Sequence, residues 1–298
     1  MTSKGIFKAK YGQLPNFMER NQEAEDFFFI QAADTQLGMI ANYDQSTKST
    51  KKDQYAKGLI TWEEEIRLCR QLVSAVNGMN PLPEFLVICG DLLDAFPKDW
   101  PEIRREQEQD FKAIFQESKV PIICVCGNHD VGDAPTPQSL QSYKESFGDD
   151  YFSFWVKGVK FLVLNSQLFE NTENCKEEAE RHNDWLDTQL QEHVSTHKGN
   201  PLVIFQHIPW FINSPEEDKI YFNVSQPLRE RMLSKFYSAG VSSIFCGHYH
   251  RNAGGFYKEM ELIVTSAVGC QIGDDGNGFR RVDVSKTGKM KHQYINLN

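Results

Sequence analysis

In the stretch PIICVCGNHD, residues 121–130, a short apolar run breaks off without transition into Gly-Asn-His-Asp. A run of that length, rich in β-branched residues, reads as a buried strand, and the polar group behind it falls where the strand leaves its sheet. Four other stretches repeat the arrangement: FFFIQAAD at 27–34, FLVICGD at 85–91, PLVIFQHIP at 201–209 and SSIFCGHYH at 242–250. Helical patterns lie between them, at 61–76, 105–118, 177–194 and 226–240. Strands alternating with helices imply an α/β fold with parallel or mixed sheets covered by helices. Because every polar motif sits at a strand C-terminus, the following loops can converge on one crevice.

Two stretches break the alternation. YFSFWVKGVKFLVLNSQ at 151–167 is a hairpin pattern turning at Lys157-Gly158, and 254–298 holds three or four strand-like runs with glycine turns and no helix. These are expected to form a second sheet packed on the first. The polar segment 41–58 reads as a mobile loop with a solvated lysine face. No interdomain linker is visible, so residues 1–24 are read as an N-terminal extension and 25–298 as one domain.

Composition narrows the function classes. With 298 residues, 40% hydrophobic, the chain can bury a full core, while a formal net charge of −9 argues against a nucleic-acid partner. The N-terminus lacks the apolar segment of a signal peptide, and no run approaches the ~18 apolar residues of a membrane span. The expectation is a cytoplasmic monomer without a membrane partner. Seven cysteines, of which Cys89, Cys124, Cys126 and Cys246 lie in or beside strand-like runs, suit reduced buried thiols. The sequon at Asn223 is expected to be idle.

The strand ends supply Asp34, Gln36, Asp91, Asp94, Asn128, His129, Asp130, His207, His248 and His250. Each alone has an ordinary explanation: Asp91 as a helix cap, Asn128 in a turn, His207 as a core histidine. Together, Asp, Asn and His spaced by one or two residues after buried strands are what an oxygen/nitrogen site for two metal ions requires.

The series D-x-Q, GDLLD, GNHD, QH and GHYH resembles the calcineurin-like metallophosphoesterases, whose pattern is D-x-H, G-D-x-x-D, G-N-H-[DE], H and G-H-x-H. The resemblance covers residues 27–250. It implies a four-layer αββα sandwich of two mixed sheets flanked by helices, and two divalent metal ions (Mn, Mg, Fe or Zn). Carried over residue by residue, it makes Asp91 a carboxylate bridging both ions. One ion would take Asp34, Asp91, His250 and Gln36; the other would take Asp91, Asn128, His207 and His248. A hydroxide held between the ions would attack phosphorus, with Asn128 and Arg251 near the substrate phosphate. His129 would protonate the leaving alkoxide, oriented by Asp94. The implied activity is a phosphomonoester hydrolase acting on phosphoserine or phosphothreonine in a phosphoprotein.

Three departures qualify the pattern. Ala95-Phe96 and Asp130 stand where the relatives of calcineurin itself carry Arg-Gly and Glu, and Asp94 stands where purple acid phosphatases carry a tyrosine ligand. Gln36 replaces the histidine of D-x-H; its amide oxygen still coordinates, more weakly and with a preference for harder ions. Manganese-dependent ADP-ribose and CDP-alcohol diphosphatases also use D-x-Q, so a nucleotide diphosphatase remains an alternative, as does a scaffold that has lost catalysis. A cysteine-phosphatase loop is suggested only by the C-x5-R spacing of Cys175 and Arg181, whose intervening glutamates would repel phosphate.

Overall fold

Phe27–Ala32 is buried at every position, as are Leu86–Cys89, Pro121–Val125 and Leu202–Phe205. Strands apolar on both faces need cover on both faces, and the chain provides it with helices outside and a second sheet inside. The structure, a computed structural model, describes residues 5–17, 24–44, 46–47, 49–50, 55, 58 and 61–297. Its strands are β1 (Gly5–Phe7), β2 (Phe27–Ala32), β3 (Tyr43–Asp44), β4 (Ser49–Thr50), β5 (Leu86–Cys89), β6 (Pro121–Val125), β7 (Phe152–Val156), β8 (Val159–Val163), β9 (Leu202–Phe205), β10 (Val241–Cys246), β11 (Ala253–Tyr257), β12 (Met260–Val264), β13 (Gly278–Val284) and β14 (Met290–Asn296). Its helices are α1 (Met39–Asn42), α2 (Glu63–Asn77), α3 (Pro101–Phe115), α4 (Asn128–Val131), α5 (Pro137–Phe147), α6 (Gln167–Glu170), α7 (Lys176–Thr196) and α8 (Gln226–Ser238).

Two six-stranded mixed sheets result, ordered β1-β6-β5-β2-β13-β14 and β11-β12-β10-β9-β8-β7. Three apolar layers hold the four-layer sandwich together. Leu68, Leu72, Phe111, Phe115 and Leu140 pack helices onto the outer face of the first sheet. Leu186, Leu190, Leu233 and Phe236 do the same for the second. Between the sheets the filling is aromatic: Phe29 stacks on Phe85 at 4.9 Å and meets Phe161, Phe205 and Phe245 edge-on at 5.6–5.7 Å.

The hairpin forms as expected, with left-handed backbone at Lys157 (φ 45°) and Gly158 (φ 81°). The C-terminal strands do not stay together as expected. β11 and β12 join the second sheet, whereas β13 crosses back to pair antiparallel with β2 and carries β14 to the edge of the first. Pairing between residues some 250 positions apart leaves no local signature, since the residue pattern of a strand does not name its partner. Helix α5 lies outside the expected helical patterns although its start is marked: Thr136 caps the Ser139 N–H at 3.1 Å and Pro137 follows. β1 pairs with β6, so part of the expected N-terminal extension is an edge strand of the first sheet. Much of the segment 41–58 lies outside the described residues. All seven cysteines are buried.

Candidate metal centre

The polar motifs meet at one rim of the sandwich. Asp34 and Gln36 follow β2, Asp91 and Asp94 follow β5, and Asn128 and His129 open α4 after β6. From the second sheet, His207 follows β9, and His248 and His250 follow β10. Backbone amides knit these loops together: Gln36 N–H donates to the Asp91 carbonyl at 2.9 Å, His129 N–H to Asp91 Oδ1 at 2.9 Å, and His248 N–H to the Asp34 carboxylate at 3.0 Å.

That convergence requires unusual backbone. Of eight non-glycine residues with positive φ among the described residues, five are Asp34, Gln36, Asp91, His248 and His250. Left-handed backbone at such residues persists only where the surroundings enforce it, and it concentrates at functional sites. The motif glycines answer to the same crowding. A Cβ at Gly90 would collide with His207, one at Gly127 with Asp91, and one at Gly247 would lie 2.5 Å from Asp34 Oδ2.

The donor atoms form two groups that share Asp91. Asp91, His207 and His248 present atoms within 4.8 Å of one another, and so do Asp34, Asp91 and His250. The imidazoles are set for coordination. His207 Nδ1 bonds the Cys89 carbonyl at 2.8 Å and His250 Nδ1 bonds the Cys270 carbonyl. A carbonyl only accepts, so each Nδ1 carries a proton and it is each Nε2 that turns inward. His207 Nε2 lies 3.2 Å from Asp91 Oδ2 and 3.1 Å from Asn128 Oδ1, and His250 Nε2 lies 3.4 Å from Asp34 Oδ1.

Both amides are aimed by carboxylates. Asn128 Nδ2 donates to Asp133 Oδ1 at 2.9 Å, which leaves Oδ1 facing His207. Gln36 Nε2 donates to Asp94 Oδ1 at 3.1 Å, and Gln36 Oε1 is buried with no hydrogen-bond partner among the described residues. A buried acceptor left without a donor is costly, and a cation would satisfy it.

Electrostatics point the same way. Burial pushes the Asp34 carboxyl up to about 8, Asp91 adding to the effect against His207. Asp91 ends well below the usual carboxylate range, because His207 and His129 outweigh its burial. Burial would lower His207, yet Asp91 and Asp34 raise it to about 9; burial holds His250 down at about 4. Two dry carboxylates therefore depend on a neighbouring positive charge, a role that divalent cations fill and that the oxygen/nitrogen donor set suits.

Beside these groups opens a cavity of about 850 Å³ lined by His129, Phe96, Trp100, Phe222 and Arg251 among others. The His129 ring packs on Phe96 at 4.3 Å, and its Nδ1 lies 2.7 Å from the Asp94 backbone carbonyl. The Asp94 carboxylate is farther, at 3.5 Å, and holds Gln36, Asn42 and Tyr55 instead. Asp94 thus orients the imidazole mainly through its main chain, where the sequence suggested its side chain. Burial would lower the His129 imidazole, yet Asp91 and Asp94 outweigh it and raise it above its ordinary value. The Arg251 guanidinium stacks over Tyr249 at 4.9 Å at the cavity wall.

Sequence reasoning missed Tyr55, Asn42, Asp133 and Arg104, none of which lies in a motif. Arg104 ties two loops together, donating to the carbonyls of Ala95 (2.9 Å), His129 (3.1 Å) and Asp130 (3.1 Å). The C-x5-R spacing carries nothing: Cys175 precedes α7, and Arg181 on that helix pairs with Glu178 at 3.0 Å. The sequon residue Asn223 is fully buried, its amide donating to Glu217 at 2.7 Å.

Comparison with known proteins adds the following. Residues 29–252 match the family model described as calcineurin-like phosphoesterase. The chain is 42% identical over 301 residues to the serine/threonine-protein phosphatase CPPED1 of Homo sapiens, covering 99% of this chain and 92% of that protein. It is 43% identical over 282 residues to CPPED1 of Danio rerio, covering 94% and 88%. A dimetal phosphatase from Danio rerio shares the fold, with a TM-score of 0.56 at 17% identity over 91% of this chain and 99% of that one.

Proposed function

The chain belongs to the calcineurin-like phosphoesterase family, and on that premise we propose that it is a serine/threonine-protein phosphatase with a two-metal centre. The observation that carries the reading is the pair of donor groups joined at Asp91. Two divalent cations would be held by Asp34, Gln36, Asp91 and His250 on one side and by Asp91, Asn128, His207 and His248 on the other. When bound, they supply Lewis acidity to the phosphoryl oxygens and to the attacking water. The remaining chemistry belongs to the chain. Arg251 and Asn128 line the cavity where the phosphate would sit and can orient its oxygens. His129, its Nδ1 anchored on the Asp94 carbonyl, has Nε2 left to protonate the serine or threonine oxygen as the P–O bond breaks, and it regains that proton from solvent. Phe96 against His129 limits water at the ring and keeps it in place.

The net charge of −9 speaks against nucleic acid as the partner, and the buried thiols support a reducing, cytoplasmic setting. Among the described residues no helix is long and apolar enough to cross a membrane. The test is release of phosphate by the purified full chain from phosphoserine and phosphothreonine peptides, alongside ADP-ribose and CDP-alcohols, with Mn, Mg, Fe or Zn added after chelation. Metal-dependent preference for the peptides is expected. Preference for the diphosphates, or full activity after exhaustive chelation, would overturn the reading.

A further inference from the structure

We infer that Tyr55, assisted by Asn42, is a positioning residue of the metal centre, acting through Asp94 to hold the Gln36 amide oxygen toward Asp34, Asp91 and His250. The inference rests on the reading of Gln36 as a ligand and adds the residues that make an amide serviceable at that position.

The hydrogen bonds form a chain whose direction is forced at both ends. The Ala95 N–H donates to Gln107 Oε1 at 3.0 Å, which fixes the Gln107 amide with Nε2 outward, and Nε2 donates to the Tyr55 hydroxyl at 3.2 Å. With its lone pair engaged, the Tyr55 hydroxyl gives its proton to Asp94 Oδ2, where Asn42 Nδ2 also donates at 3.3 Å. Burial and the Asp94 carboxylate push the Tyr55 phenol far up, so it stays a donor. The second oxygen, Asp94 Oδ1, receives Gln36 Nε2 at 3.1 Å. A carboxylate only accepts, so the Gln36 NH₂ must face Asp94 and Oε1 must face the other way, where it is buried without a partner among the described residues. Loosening the Oδ2 end lets the carboxylate rotate, and the Gln36 amide then loses what distinguishes its two faces.

A second observation shows that space is reserved for this clamp. Gly38, two residues after Gln36, has φ 110°, and a Cβ there would lie 2.6 Å from the Tyr55 hydroxyl and 2.5 Å from Gln107 Nε2. The Tyr55 ring rests on Trp100 at 5.6 Å, so removing the hydroxyl alone leaves the packing in place.

The test titrates Mn(II) into chelator-stripped full-length chain by calorimetry, with free Mn(II) followed by electron paramagnetic resonance. Tyr55→Phe should weaken one of the two ions by ~10- to 100-fold, the usual cost of losing a partner that orients a ligand, and leave the other unchanged. Turnover should recover at saturating Mn(II). Asn42→Ala should weaken the same ion less, and it reads the clamp independently if Tyr55→Phe folds poorly. In a Gln36→Ala background, Tyr55→Phe should add nothing, because both act on one contact. Wild-type Mn(II) affinity in both Tyr55→Phe and Asn42→Ala, or fully additive losses in the double variant, would overturn the clamp. Unchanged affinity in Gln36→Ala would instead overturn the ligand reading beneath it.

Discussion

Asp34, Gln36 and His250 all hold left-handed backbone, whereas across Asp91 only His248 does, and Asn128 and His207 sit in ordinary conformations. Each half contains one amide aimed by a carboxylate, Gln36 by Asp94 and Asn128 by Asp133. The supports differ in origin. Asp133 lies five residues from Asn128 in the same turn region, while Asp94 lies 58 residues from Gln36 and is itself held by Asn42 and Tyr55. Strained backbone persists only where surroundings enforce it, at roughly 1–3 kcal/mol per residue, so the Asp34 half depends more on distant contacts. It should be the half that releases its ion first.

The largest effect should come from the residue the halves share. Asp91→Asn removes the one carboxylate common to both groups and should cost more activity than any other ligand change, beyond the ~10- to 100-fold typical of outer partners. Metal analysis should find both ions weakened. Loss of one ion with the other held at wild-type affinity would show that Asp91 serves a single half.

His129 belongs to neither half and isolates chemistry from binding. His129→Ala should keep both ions while kcat falls by ~10²- to 10⁴-fold. The loss should be greatest for phosphoserine, whose leaving alkoxide needs a proton, and least for an aryl phosphate. Equal losses on both substrates would remove it from the acid role.

How legible the centre was in the sequence divides along the same line. The candidate ligands could be read because each follows a strand buried on both faces, and the apolar runs announce those strands. The groups that aim the ligands could not. Tyr55 reaches Asp94 from a polar segment with no pattern, and Asn42 lies on a one-turn helix. The path of β13 was hidden for a similar reason, since its partner β2 lies some 250 residues earlier and nothing local names a partner. The motif glycines have a reason of their own: Gly90, Gly127 and Gly247 each precede a candidate ligand because a side chain there would strike His207, Asp91 or Asp34.

A smaller effect should fall on the second half alone. Asp133→Asn no longer distinguishes the two ends of the Asn128 amide, so the ion beside His207 should weaken by ~10- to 100-fold while the Asp34 half keeps its own. Mn(II) titration of this variant beside Tyr55→Phe would then give opposite patterns, one ion lost from each side. If both variants weaken the same ion, the division into halves is wrong.

The smallest effect at neutral pH, and a check on what a ligand histidine is, concerns His182. His207 and His250 each anchor Nδ1 on a carbonyl, but neither ring nitrogen of His182 has a hydrogen-bond partner among the described residues. It is fully buried against Tyr151 at 4.8 Å and Phe169 at 4.9 Å. Burial lowers it to about 4 from an ordinary 6.5, Asp150 opposing and Lys144 adding to the shift. Its folded pKa thus lies below its unfolded one, and between pH 6.5 and 4 the unfolded chain binds the proton that the folded chain refuses. Its neutral form therefore contributes full stability above that window and loses it as pH falls, by about 2 kcal/mol at pH 5. His182→Leu, which fills the same apolar space without titrating, should flatten the stability decline between pH 7 and 5 by about that amount and leave Mn(II) binding untouched. Denaturant unfolding at the two pH values measures the first, and an undiminished decline in the variant would mean that other groups, His193 among them with a pKa also held near 4, carry the acid sensitivity.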